Sequence, residues 1–327
     1  MHNRQNALNK WLEEILAPNQ FTLTPLAGDA SFRRYYRLHH QGCTQVVMDA
    51  PPDKETIEPF LAIATLLNSV GLKAPQVKAV DKVQGFAILE DFGDTLLLNN
   101  LSADTADKLY ALAMDNLCRL QNCSISGPIT VPCFDKAFIL YELNVFKEWF
   151  LDIYLKIKLT SNETTLIEDT FAWLSQEIEQ QPKVLIHRDY HSRNLMLLGK
   201  NDEFELGIID FQDAMSGPFT YDLVSLLKDC YIQWPREQIM AWLAYFHKQT
   251  PIAQQYSLSA FVRAFDLCGL QRHLKVLGVF SRLYLRDNKP NYLQDLPLTL
   301  HYVMTCLESY AELQDFYQFM QVRIKLP

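Results

Sequence analysis

The sequence predicts an α+β fold in two parts, a small β-rich lobe followed by a large helical lobe. Three observations predict it. The first ninety residues read as a helix and then strands in the order β-β-β-α-β-β. Beyond Asp94, long stretches carry apolar residues at helical spacing. A short strand-rich interruption, residues 183–213, breaks that helical run. The division falls at 1–92 and 93–327.

The elements follow in order. Leu8, Trp11, Leu12 and Ile15 alternate with Arg4, Lys10, Glu13 and Glu14, which makes an amphipathic first helix. Phe21–Leu26 reads as a strand, and Ala27–Ala30 as a turn. Ser31–Leu38 and Cys43–Met48 read as two strands joined by His39-His-Gln-Gly42, a hairpin signal. Ile57, Phe60, Leu61, Ala64 and Leu67 give a helix over 56–70, closed by Gly71. Strands follow at Gln76–Asp81 and Phe86–Glu90. Helices are then expected at about 104–121, 135–155 and 164–180, with the longest over 257–285.

Composition limits the function. Apolar residues make up 49% and charged residues 21% of 327, the balance of a packed globular chain. No apolar run is long enough for a membrane span, and the first helix has no signal-peptide core, so a cytoplasmic protein is expected. The seven cysteines form no CxxC pair, which argues against disulfides and structural zinc. A net charge of −8 without Lys/Arg clusters excludes nucleic acid as an expected partner.

The chemistry concentrates in Val184-Leu-Ile-His-Arg-Asp-Tyr-His-Ser-Arg-Asn194 and in Phe204–Gln212. A buried strand leads into a loop at His187, and Asn194 follows Asp189 by five residues. Two strands, 195–198 and 204–209, form a hairpin that returns Asp210 toward Asn194 and Asp189. A carboxylate and an amide oxygen suit Mg²⁺ on nucleotide phosphates, and a second carboxylate can orient an attacking hydroxyl. His187-x3-His191 lacks the glutamate and the helix of a zinc-protease pair.

The H-R-D-x4-N spacing with a downstream Asp-Phe resembles the aminoglycoside-phosphotransferase family of the protein-kinase-like superfamily. That resemblance implies a kinase-like two-lobed fold and phosphoryl transfer from ATP with Mg²⁺. It makes Asp189 the catalytic base, and Asn194 and Asp210 the metal ligands. His187 would support the loop, and Asp222 would cap the next helix or steady the catalytic loop. Gly28, Asp29, Ser31 and Arg33 stand where a loop covers the nucleotide, and Glu90, Asp91 and Phe92 stand at the hinge that holds the adenine edge. Family members usually carry a third-strand lysine paired with a helix glutamate. Here Met48 and Asp49 stand there, with Glu58 as the helix acid, and Arg33, Arg34, Arg37 or Lys54 as the substitute cation.

Several blocks resemble one subgroup, the bacterial anomeric kinases for N-acetylmuramate and N-acetylglucosamine used in recycling cell-wall sugars. They are Asp29–Arg37, Val47–Pro52, Ile209–Ala214, Thr220–Asp229 and Gly269–Lys275. The subgroup implies a nucleotide and a sugar acceptor as partners. A muramate carboxylate needs a cation, for which Arg193, Arg272, His273 and Lys275 are available, while Glu142 or Trp149 would meet the sugar itself. The alternatives are an aminoglycoside, choline, homoserine or fructosamine kinase, and a non-catalytic kinase-like binding protein.

Overall fold

The structure is a computed structural model that describes residues 2–16, 20–26, 32–124, 131–200 and 203–326. In chain order the elements are α1 (His2–Leu16), β1 (Phe21–Pro25), β2 (Arg34–His40), β3 (Cys43–Asp49), α2 (Glu58–Ser69), β4 (Val77–Asp81) and β5 (Phe86–Glu90). Then come α3 (Ala106–Gln121), α4 (Lys136–Val145), a π-helical segment (Phe146–Tyr154), α5 (Ser161–Glu179), β6 (Lys183–Ile186), β7 (Leu195–Lys200), β8 (Glu203–Ile208) and β9 (Met215–Pro218). The chain closes with α6 (Tyr221–Leu227), α7 (Arg236–Gln249), α8 (Pro251–Gln254), α9 (Leu258–Asp287), α10 (Leu296–Ser309) and α11 (Gln314–Arg323).

Contacts divide the chain into two compact units. One comprises Met1–Thr95 with Met196–Gln212, the other Leu96–Leu195 with Asp213–Pro327.

In the first unit, five antiparallel strands lie in the order β1-β2-β3-β5-β4. The β2–β3 hairpin turns on Gln41 and Gly42, both at positive φ (51° and 76°), the turn type whose twist matches paired strands. Strand side chains alternate between faces, so Leu38, Val47, Phe86 and Ile88 reach α1 and pack on Leu8, Trp11 and Leu12. Truncating Leu12, fully buried here, would cost about 2–5 kcal/mol. Arg4 fastens α1 further. Its Nε donates to Asp49 Oδ1 at 2.7 Å and its Nη2 to the Gln84 carbonyl at 2.6 Å. Asp49, the acid in the third strand, is therefore a structural partner of α1. The β7–β8 pair forms a separate two-stranded sheet in this unit, and Phe211 beyond it stacks on Phe60 of α2 at 4.9 Å.

In the second unit, α9 is the central element. Its 30 residues span about 45 Å. It packs against α4, α5, α6, α10 and the π-helical segment. At Gly278 the approach is so close that a Cβ would sit 2.4 Å from the Val145 carbonyl oxygen, at the junction where α4 widens. The sequence expectation of one helix over 135–155 is corrected here, since α-helical geometry ends at Val145. A second correction concerns α5, which starts at Ser161 rather than 164. Thr160 accepts from the Glu163 amide and the Glu163 carboxylate accepts from the Thr160 amide, a reciprocal cap. Among the described residues no helix is long and apolar enough to cross a membrane.

Candidate active site

The loop after β6 is set by what surrounds it. β6 pairs antiparallel with β9, and Val184, Leu185 and Ile186 are buried. His187 is 1% exposed, and its Nδ1 accepts from the Asp189 amide at 3.3 Å. Asp222, fully buried in the first turn of α6, accepts from the amides of His187 at 2.6 Å and Arg188 at 2.9 Å. Of the two roles the resemblance allowed, Asp222 takes the steadying of the loop. Burial pushes its carboxyl up to about 6, against those two donors. Asp222→Ala would leave both amides unpaired in the interior. The expected loss is about 1–3 kcal/mol for each, read as a fall in melting temperature with a loss of turnover.

Further anchors hold the loop's far end. The Ser192 amide donates to Asp229 Oδ2 at 3.0 Å, and the Ser192 hydroxyl bonds the same oxygen. Tyr190 is fully buried and donates to the Ala113 carbonyl at 2.9 Å. Arg188 stands at φ 77°, a left-handed conformation that costs a non-glycine residue on the order of 1–3 kcal/mol. Fixed from both sides, Asp189 points a 41% exposed carboxylate outward.

Charge shapes that carboxylate. Burial alone would raise it, but Lys275, His191, Arg272 and Arg188 outweigh burial and hold it well below the usual carboxylate range. Arg272 Nη2 lies 4.0 Å from Asp189 Oδ1, while Arg272 itself is buried. Behind them, Glu142 is 2% exposed and accepts from Arg188 Nη2 at 3.0 Å and from Gln271 Nε2 at 2.9 Å, with Lys275 Nζ at 3.7 Å. Arg272 Nε, Gln271 Oε1 and the Tyr221 hydroxyl are buried without a hydrogen-bond partner among the described residues. Unsatisfied buried groups are rare in native interiors, and these three lie close to Glu142 and Asp189.

The structure gathers some expected acceptor residues and not others. Arg272, Lys275 and Glu142 belong to the Asp189 cluster. His273, its neighbour on α9, turns away: its Nε2 lies 2.9 Å from the Lys228 carbonyl and its ring stacks on Tyr302 at 4.9 Å. Burial and Arg272 push it down to about 3. Arg193 lies over the Tyr231 ring at 3.6 Å, and Trp149 is half-buried in the π-helical segment. Gln271, Tyr221 and Asp229 lie in the blocks Thr220–Asp229 and Gly269–Lys275, but the sequence reading gave them no role of their own. Only their buried polar character distinguishes them.

Of the two expected metal ligands, Asn194 lies in the second unit, where its Nδ2 donates to the Asp189 carbonyl at 3.0 Å. That bond assigns the amide's nitrogen. Asp210 belongs to the first unit, just beyond β8, at φ 63°, and accepts from Gln212 Nε2 at 2.8 Å. Each of the two is, by its chemistry, a kind of donor that Mg²⁺ accepts alongside phosphate and water.

The residues expected at the hinge, Glu90, Asp91 and Phe92, are in the first unit. Asp91 accepts from Arg37 Nε at 2.8 Å and from the Gly93 amide at 2.9 Å, and Asp94 receives Arg37 at 2.9 Å. Arg37 is thus held by Asp91 and Asp94. Phe92 lies on Gly207, where an added Cβ would come within 2.5 Å of the ring. Glu90 ends β5 and accepts from the Gln76 amide at 3.3 Å. Gly28, Asp29 and Ser31 lie outside the described residues.

A carboxylate kept ionised in an anchored loop, with an amide five residues on, is the arrangement expected of a phosphoryl-transfer enzyme. The family model described as "Phosphotransferase enzyme family" matches residues 22–256, and the chain belongs to that family. The chain is 39% identical over 325 residues to the N-acetylmuramate/N-acetylglucosamine kinase of Pseudomonas putida, which covers 95% of this chain and 94% of that one. The kinase of the same name from Neisseria meningitidis is 38% identical over 327 residues, covering 97% and 95%. Among solved structures, the GDP complex of aminoglycoside 2'-phosphotransferase-IIIa is similar at a TM-score of 0.65 and 17% identity, covering 93% of this chain and 99% of that one. Plasmodium vivax ethanolamine kinase is similar at a TM-score of 0.65 and 13% identity, covering 90% and 85%. These likenesses show a shared kinase-like α+β fold.

Proposed function

We propose that this enzyme transfers the γ-phosphoryl group of ATP to the anomeric hydroxyl of N-acetylmuramate or N-acetylglucosamine, in the cytoplasm, where its nucleotide is supplied. The observation that carries the choice of acceptor is the likeness, nearly end to end, to kinases named for those two sugars. Asp189 receives a hydrogen bond from the acceptor hydroxyl and orients its oxygen for in-line attack. An anomeric hydroxyl is more acidic than an ordinary alcohol, so a carboxylate held this far down need take its proton only late, in a loose transition state. Asn194 and Asp210 would hold Mg²⁺, which neutralises charge on the phosphates. Leu89, Glu90, Asp91 and Phe92 would present the adenine edge through backbone groups.

The surroundings of Asp189 favour an anionic or neutral acceptor. Arg188, Arg272 and Lys275 gather at Asp189 and Glu142, and each of these cations would attract an anionic acceptor group and repel a cationic one. Arg272, with its unsatisfied Nε, would bind the lactyl carboxylate of muramate.

The experiment follows ADP release with Mg-ATP and N-acetylmuramate, N-acetylglucosamine, their methyl glycosides, choline and kanamycin. The free sugars are expected to consume ATP and the methyl glycosides not to, because only the proposed nucleophile is blocked. Equal reaction of both forms would assign another hydroxyl, and turnover with kanamycin or choline alone would assign another acceptor class. Arg272→Ala is expected to weaken N-acetylmuramate more than N-acetylglucosamine. Equal losses would make Arg272 a structural residue.

A further inference from the structure

We infer that Arg33, held in place by Glu55, is the cation that receives the phosphate chain of the nucleotide. The inference rests on the ATP-dependent reading above, and its observations all lie in the first unit. Arg33 stands one residue before β2, with Nη2 2.7 Å from Glu55 Oε2; their side chains are 7% and 24% exposed. Arg33 also hydrogen-bonds the Tyr35 hydroxyl. Burial pushes that hydroxyl well up, Arg33 pulls it back, and Asp210 and Glu55 add to the rise. One buried phenol thus feels Arg33, Glu55 and Asp210 together, which sets the guanidinium in the same neighbourhood as the aspartate proposed for the metal.

The neighbouring strand supplies no charge there. Tyr35 pairs with Met48 of β3, which is fully buried. Five of the first unit's other cations have different duties among the described residues. Arg37 is held by Asp91 and Asp94, and Arg4 by Asp49. Lys73 pairs with Glu205, and Lys54 is 52% exposed beside Asp53. Arg34 alternates onto the face of Tyr36 and Leu38, which is the face α1 covers; Tyr36 donates to Gln5 of α1.

The chemistry suits the assignment. A guanidinium has five N–H donors in a rigid plane, so it can hold Glu55 and Tyr35 and meet a phosphate oxygen as well. Glu55 fixes the plane before nucleotide arrives, which lowers the ordering cost of binding. The expected acid partner over 56–70, Glu58, gives way to Glu55, ahead of α2.

Equilibrium binding without sugar tests the assignment, with adenosine, ADP and ATP as probes at fixed Mg²⁺. Arg33→Ala is expected to weaken ATP about 10–100-fold, the size of a charged hydrogen bond of about 1.5–3 kcal/mol, and to leave adenosine within about twofold. Glu55→Gln is expected to give a smaller loss with the same order, ATP most affected, and Arg33→Lys to recover part of the ATP affinity. These two variants keep the inference testable should Arg33→Ala fail to fold. Equal losses for adenosine and ATP would make Arg33 structural, and unchanged ATP affinity would place the cation elsewhere; either overturns the inference. Wild-type protein that binds no adenine nucleotide would overturn the ATP reading itself, and this inference with it.

Discussion

Asp189→Asn is expected to lower kcat by about two to four orders of magnitude while Mg-ATP affinity stays close to wild type. The substitution keeps the side chain's shape, and the bonds that fix the loop are made by His187, Arg188, Ser192 and the backbone rather than by the Asp189 carboxylate. What disappears is a negative charge facing Arg272 and Lys275, and with it the acceptor for the hydroxyl proton. Single-turnover measurements would separate chemistry from binding, and a variant within tenfold of wild type would remove Asp189 from the role. The surrounding cations carry a second consequence. Because they keep Asp189 ionised well below the usual carboxylate range, Asp189 should contribute no acid limb near pH 4 to the wild-type rate, and a limb nearer pH 6 would belong to Asp222. Lys275→Met, which deletes the largest of the opposing cations, should move the Asp189 limb upward in pH.

Asp210→Ala is expected to weaken Mg²⁺-dependent ATP binding by more than about 100-fold, beyond the 10–100-fold seen when an outer partner of a metal site is lost. Asn194→Ala removes a neutral oxygen rather than a charge and should cost less. Calorimetry with and without Mg²⁺ reads both. The decisive quantity is the metal-dependent part of the affinity. If the Asp210 variant keeps it, the metal is held elsewhere.

The parts of this protein legible in its sequence are those where chemistry or a local pattern dictates residue types. The run from His187 to Asn194 announced a catalytic loop because nucleophile orientation and metal binding require particular donors at fixed spacing. The β2–β3 hairpin announced itself because its turn needs positive φ. Other features depend on partners far along the chain. β9 is Met-Ser-Gly-Pro, four residues that read as a turn, and its strand character comes from its pairing with β6. The widening after Val145 leaves the apolar stripe unbroken, so no periodicity reports it. The commitment of Arg37 to Asp91 links residues 54 positions apart, which no local rule foresees. The cap on α5 was present in the sequence as Thr160-Ser-Asn-Glu163. Its first turn is polar, so a search for apolar spacing begins one turn late.

The first unit is discontinuous, and this bears on how the chain is made. Phe60 waits for Phe211, and the Phe92 ring for Gly207, although strands β1 to β5 are complete by Glu90. On a ribosome adding about 5–20 residues per second, those partners emerge roughly 6–23 s after residue 95. Throughout that interval the Phe60 ring on α2 and the Phe92 ring after β5 lack those partners. Synthesis speed across the intervening helices, and the holding factors that meet the chain there, therefore bear on yield as directly as the stability of the finished protein does.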